Sequence, residues 1–103
     1  MGLYPEQTAD GFAFEMLTVA GSAVGFATAT YSPNAHVGAT RAFVTAETAQ
    51  VRYRYDGTAP TASVGHLLEA NGSIVIEGPG NIARFQAIRT GGTSAVLATT
   101  FEA

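Results

Sequence analysis

Neither cysteine nor lysine occurs in this 103-residue chain. Without cysteine there are no disulfides and no thiolate metal sites, and the redox compartment leaves no mark on the sequence. Without lysine, all formal positive charge rests on Arg41, Arg52, Arg54, Arg84 and Arg89, against eight acids, for a net charge of −3. That balance argues against electrostatic binding to nucleic acid or to anionic lipid. No run approaches the roughly 18 consecutive apolar residues of a membrane-spanning helix. The start, Met1-Gly2-Leu3-Tyr4-Pro5-Glu6, has no basic region followed by an apolar stretch, so no secretory signal is expected. Gly2 is not followed by the myristoylation pattern either. The expected place of work is the cytoplasm where the chain is made, or something assembled there.

Large apolar side chains are also scarce. Hydrophobic residues make up 47% of the chain, but 19 of them are alanine. Surface scaling for this mass gives about 65% of the unfolded chain's surface buried on folding, enough for one domain with an independent core. A core of small residues buries less area, at about 25 cal/mol per Å². Added stability from an oligomer or a larger assembly is therefore expected.

What is present is strand patterning. Residues 1–10 form a polar arm containing Pro5 and ending at Asp10-Gly11, and residues 11–103 form the domain. Phe12, Phe14 and Met16 alternate with Ala13, Glu15 and Leu17; a helix through Phe12, Met16 and Val19 competes, but no cap precedes it and the residue types favour a strand. Val24–Tyr31, rich in Thr and Phe, predicts a second strand, ended by Ser32-Pro33-Asn34. Arg41–Ala46 predicts a third, joined by Glu47-Thr48-Ala49 to the strand that opens at Gln50, the two pairing as a hairpin. Leu67 and Leu68 lead to Asn71-Gly72, a hairpin signal, and then to Ser73–Glu77 with Ile74 and Ile76 inward. Gly78-Pro79-Gly80-Asn81 predicts a turn, Ile82–Arg89 a strand, Thr90–Thr93 a turn and Ser94–Phe101 a terminal strand. Seven or eight short strands with Gly, Pro and Asn punctuation predict an all-β, single-domain antiparallel β-sandwich of Ig-like or jelly-roll type.

The most informative stretch is Gln50–Thr61. Val51, Tyr53 and Tyr55 alternate with Arg52 and Arg54, which predicts one buried face and one wet face. Asp56 and Gly57 supply a turn, and Pro60 keeps the next segment out of a central strand. Tyr53 and Tyr55 are expected in the core with their phenol tips at its edge. Arg52, Arg54 and Arg84 are expected on the outer face of a sheet as candidate interface residues, together with Leu3, Tyr4 and Pro5 of the arm. Asp56, Gly57, Pro60, Asn71 and Gly72 are expected to be structural turn residues.

Catalytic chemistry finds little footing. His66 and Glu69 lie three apart in a loop or strand, where odd spacings point to opposite faces, and His36 belongs to a polar loop. Asp56 and Glu69 are the nearest carboxylate pair, yet a turn already explains Asp56. No Gly-x-Ser-x-Gly elbow occurs, and the glycines near 78 and 91 lack the Lys-Ser/Thr ending of a phosphate loop. Asn71-Gly72-Ser73 matches a glycosylation sequon but is better explained as a turn. No catalytic, metal or cofactor residue is assigned, and an enzyme is not expected. Exposed tyrosines such as Tyr4 and Tyr31 would be needed for a carbohydrate-binding module.

Tyr53-Arg54-Tyr55-Asp56-Gly57-Thr58-Ala59-Pro60-Thr61 resembles the strand-turn motif Tyr-x-x-Asp-Gly-Ser/Thr-x-Pro-Thr of Ig-like domains at the C-terminus of chitobiases. A wider pattern runs from Arg41 through Glu47-Thr48-Ala49, this motif, Gly65-His66-Leu67-Leu68, Ile82-Ala83-Arg84-Phe85 and Ala87-Ile88-Arg89 to Phe101. It resembles small proteins encoded among the head and tail genes of tailed bacteriophages and prophages; residues 1–40 lie outside the similarity. The resemblance implies a non-enzymatic virion protein, made in the host cytoplasm and docked on the particle. A capsid decoration (cement) protein is the leading expectation, bound to the major capsid protein or another virion protein as a homo-oligomer, a trimer being favoured. A tail or head-tail connector component and a carbohydrate-binding sandwich module are the alternatives. The arm, Met1 to Asp10, is expected to make contacts with a neighbouring subunit.

Overall fold

A computed structural model describes residues 10–103, which form seven strands and two short helices, one after the first strand and one after the fifth. The strands are β1 (Gly11–Val19), β2 (Arg41–Glu47), β3 (Val51–Arg54), β4 (His66–Leu68), β5 (Ser73–Glu77), β6 (Gln86–Arg89) and β7 (Ala95–Glu102). The helices are α1 (Thr28–Tyr31) and α2 (Pro79–Arg84). One sheet has the order β1-β7-β2-β5 and the other β4-β3-β6, all pairs antiparallel. The expected two-sheet, all-β sandwich is therefore the fold. No helix among the described residues is long and apolar enough to cross a membrane.

Alternation sets the two faces. In β7, Ala95, Leu97, Thr99 and Phe101 are buried while Val96, Ala98, Thr100 and Glu102 are half-buried on the other side. β2 likewise turns Ala42, Val44 and Ala46 inward. Small side chains on this inner face leave room for the large ones that fill the centre. Phe26 stacks on Phe85 at a centroid distance of 4.5 Å and meets Phe101 edge-on at 5.1 Å. Such pairs add about 0.5–1.5 kcal/mol each beyond the area they bury. Thr99 is the one buried polar residue among those described, and its hydroxyl donates to the Leu97 carbonyl.

The strand expected over Val24–Tyr31 does not form. Val24 makes a single bridge to Ala87, after which the chain leaves the sheet and closes one helical turn, α1. Two packing facts override the β-propensity of this segment. A Cβ at Gly25 would stand 2.6 Å from the Phe85 carbonyl oxygen, so the backbones touch there, and Phe26 then turns into the aromatic core. α1 has no side-chain cap of its own; the Glu15 carboxylate of β1 accepts from the Ala27 N–H at 3.2 Å.

Both expected hairpins are corners between the sheets. β2 and β3 do not pair: Thr48, at φ 81°, turns the chain from one sheet to the other. β4 and β5 are separated in the same way. Asn71 takes the positive φ of 69°, but the closing bond runs from the Gly72 N–H to the Glu69 carbonyl, so Asn71 and Gly72 fill the last two turn positions rather than the central two of a hairpin. The strand expected over Ile82–Arg89 is shortened to β6. Pro79 occupies the first turn of α2, where its missing N–H costs nothing, and Gly78 before it takes φ 100°. Six residues are too few to show a helical period. Ile74 and Ile76 point inward as expected.

Candidate functional site

The three arginines expected at an interface all make hydrogen bonds within the chain, each to or beside the loop that follows β3. Arg52 Nη1 donates to the Gly65 carbonyl at 2.9 Å and its Nε to the Ala62 carbonyl at 3.3 Å. Arg54 forms two bonds with Asp56, the shorter 2.6 Å. Arg84 Nη2 donates to Asn81 Oδ1 at 3.0 Å, and its Nε reaches the Tyr55 carbonyl at 3.5 Å. Arg52 and Arg54 lie on the outer face of the three-stranded sheet, since Tyr53 between them packs on Phe85 at 5.7 Å. Each guanidinium is thus engaged within the chain, lacing residues 55–65 to the sheet. Leu3, Tyr4 and Pro5, and the arm expected to reach a neighbour, lie outside the described residues.

The turn residues behave as their chemistry suggests. Asp56 Oδ1 accepts from the Thr58 N–H at 3.3 Å, and Gly57 takes φ 90°. The bonds from Arg54 and then from the Thr58 amide hold the Asp56 carboxyl down at about 2. Pro60 is buried. Among the described residues no three histidine, aspartate or glutamate side chains gather as a metal set. Glu69 accepts from the Gln50 amide at 2.9 Å. His66 packs against Tyr53 at 5.3 Å and Tyr55 at 6.1 Å.

The tyrosines divide. Tyr53 is half-buried against the core and its phenol pKa is raised, chiefly by burial and secondarily by Tyr55. Tyr55 is exposed, at 38%, one strand period farther out. It borders an open cavity of about 270 Å³ with Val75, Ile76, Glu77 and Asn81. Tyr31, by contrast, packs on Phe101 at 5.9 Å and offers no exposed platform.

The surface that stands out is the outer face of the four-stranded sheet. Phe14 is 59% exposed, Met16 51%, Val75 48% and Phe43 43%. The ladder registers place Phe14, Thr100, Phe43 and Val75 side by side across all four strands. Met16, Ala98, Thr45 and Ser73 form the next row. At 4.8 Å per strand and about 6.8 Å per row, these two rows span a footprint of roughly 250 Å². Below them Arg41 sits between Glu102, paired at 2.7 Å, and Glu77. The face is therefore apolar and hydroxyl-lined at its centre with charges at its margin.

Sequence reasoning missed this face, although the signal was present. Phe43 sits between Ala42 and Val44 in a strand whose other positions fit an interior, and Phe-x-Phe-x-Met in β1 opposes Ala13, Leu17 and Val19. Two apolar faces on one strand leave one of them exposed when only the other packs on the core.

Compared with known protein families, with curated proteins and with solved structures, the chain finds no match.

Proposed function

We propose that this chain is a non-enzymatic structural protein of a bacteriophage particle, a capsid decoration protein that docks on other virion proteins through the outer face of its four-stranded sheet. The observation that carries the reading is the row Phe14–Thr100–Phe43–Val75, in which three exposed apolar side chains flank the half-buried Thr100 across the sheet. Its footprint is well below the roughly 800 Å² per partner of a standard stable interface. Such a surface holds firmly only when many copies engage a lattice together, because linked sites gain by multivalency. Docking would in turn stabilise a small domain by mass action. The resemblance of residues 41–101 to small phage head and tail proteins supplies the particle, and the major capsid protein is the natural partner. The chain would fold in the host cytoplasm before docking.

Quantitative mass spectrometry of purified particles tests this reading. A copy number comparable with that of the major capsid protein is expected. A small ring-sized number moves the chain to the tail or the head-tail connector, and absence from the particle overturns the proposal.

A second reading has its own observation. Tyr55, stacked with His66 beside the cavity that Glu77 and Asn81 line, offers an aromatic face next to polar groups, as a carbohydrate-binding module requires. A glycan array read with the wild type and Tyr55→Ala decides it: a hit lost in the variant favours the module, and a blank array removes it.

A further inference from the structure

The two sheets have four outer edges, and they are not treated alike. Beside β5 lies α2, and the Asn81 amide donates to the Glu77 carbonyl at 2.9 Å. The outer edge of β6 is met by reciprocal bonds between Val24 and Ala87, at 2.9 and 2.8 Å, and by the Ala20 carbonyl, which accepts from Arg89. β4 has only three residues. β1 has nine, and no backbone bond among the described residues reaches its outer edge. Proteins guard such edges with lysine, proline, a covering element or a short strand. Among the described residues β1 contains no proline, the chain has no lysine, and its one charge, Glu15, is drawn away to the Ala27 amide; α1 packs near β1 but makes no backbone bond to it. Its outward side chains include Phe12, Phe14 and Met16, all exposed.

We infer that β1 pairs antiparallel with β1 of a second copy of this chain, joining two four-stranded sheets into one of eight strands. A row of unpaired N–H and C=O groups is satisfied by extended backbone, and β1 is complementary to itself in one register. The irregularity between Gly11 and Ala13 limits the regular ladder to Ala13–Val19. Centring the two-fold on Glu15 would set like charges opposite each other. Centring it on Met16 uses the whole regular stretch: Met16 faces Met16 of the second copy, Phe14 faces Thr18, and Glu15 faces Leu17. The Met16 row then runs from Ser73 of one copy to Ser73 of the other, while the Phe14 row of each copy continues into Thr18 of its neighbour, giving a combined outer footprint of roughly 500 Å². An antiparallel ladder between identical strands is isologous, so the assembly has two-fold symmetry in place of the three-fold one that the resemblance implied. The pairing stands apart from the particle reading and is tested on the isolated protein.

The absence of native cysteine makes a single engineered thiol decisive. In this register the two Met16 Cα atoms lie about 4.5–5.5 Å apart, within disulfide range. Met16→Cys under mild oxidation is expected to migrate at twice the monomer mass and no higher, with unchanged circular dichroism. Phe14→Cys and Thr18→Cys, each separated from its own copy by about 13 Å, remain monomeric alone and cross-link when mixed. Val75→Cys, on the far edge, is the negative control. The inference is overturned if Met16→Cys stays monomeric, if Val75→Cys cross-links equally, or if cross-linking requires removal of residues 1–9, which would make the chain's own arm the occupant of the edge.

Discussion

Arg54 and Asp56, two positions apart at the end of β3, hold each other through two parallel hydrogen bonds, Nη2 to Oδ2 at 2.6 Å and Nε to Oδ1 at 3.1 Å. The pair closes the start of a loop whose far end Arg52 holds through the carbonyls of Ala62 and Gly65. These arginines thus tie both ends of the loop to β3.

The Asp56 carboxyl is held at about 2, below its ordinary value of 3.8, by Arg54 and then by the Thr58 amide. A depressed carboxylate stabilises the fold above its unfolded value, and that contribution disappears as pH falls from 3.8 toward 2. Carboxyl NMR titration is expected to show Asp56 protonating below its ordinary value and moving up toward it in Arg54→Gln, with the Thr58 amide still holding it down in part. Asp56→Asn should flatten the fall in stability across that same window.

Gly25 allows the bridge between Val24 and Ala87 to lie directly over Phe85. Because an added Cβ would meet the Phe85 carbonyl oxygen at 2.6 Å, Gly25→Ala must push the two backbones apart. Chemical denaturation is expected to show a loss of about 1–3 kcal/mol, the usual cost of overpacking. Gly91→Ala, where nothing lies within 4 Å, should be nearly neutral.

Phe85 and Phe43 are the same side chain in opposite settings. Phe85 is buried between Phe26 and Tyr53, whereas Phe43 is 43% exposed. Phe85→Ala is expected to cost about 3–5 kcal/mol, enough to unfold a marginal domain at moderate denaturant. Phe43→Ala should stay within about 1 kcal/mol of the wild type in the isolated protein. Equal losses would show that the outer face is already covered in the monomer.

The fold class was legible because alternation in Gln50–Arg54, Arg41–Ala46, Ser73–Glu77 and Ser94–Phe101 is a local signal, and each of these stretches carries a strand. Pairing was not, because Glu47-Thr48-Ala49 and Asn71-Gly72 look the same whether they turn a hairpin or change sheets. Val24–Tyr31 was misread for a different reason: its residues favour a strand, and only the contact of Gly25 with Phe85 shows why it leaves one. Arg52 and Arg54 were correctly placed on the outer face of a sheet, whereas Arg84 ends α2 rather than lying in a strand; the hydrogen bonds of all three to Asp56, Ala62, Gly65, Asn81 and Tyr55 depend on a loop path that spacing does not encode. The exposed apolar face needs the registers of three ladders, since Phe14, Phe43 and Val75 are far apart in the chain and adjacent only in the sheet.

The outer face as the docking surface is tested most directly by binding to particles prepared without this protein. Wild type and Arg54→Gln are expected to saturate such particles with equal affinity, while Phe43→Lys combined with Val75→Lys weakens binding at least about tenfold, a loss of 1.4 kcal/mol or more. Undiminished binding by the doubly substituted chain, with its fold intact by circular dichroism, would contradict the account.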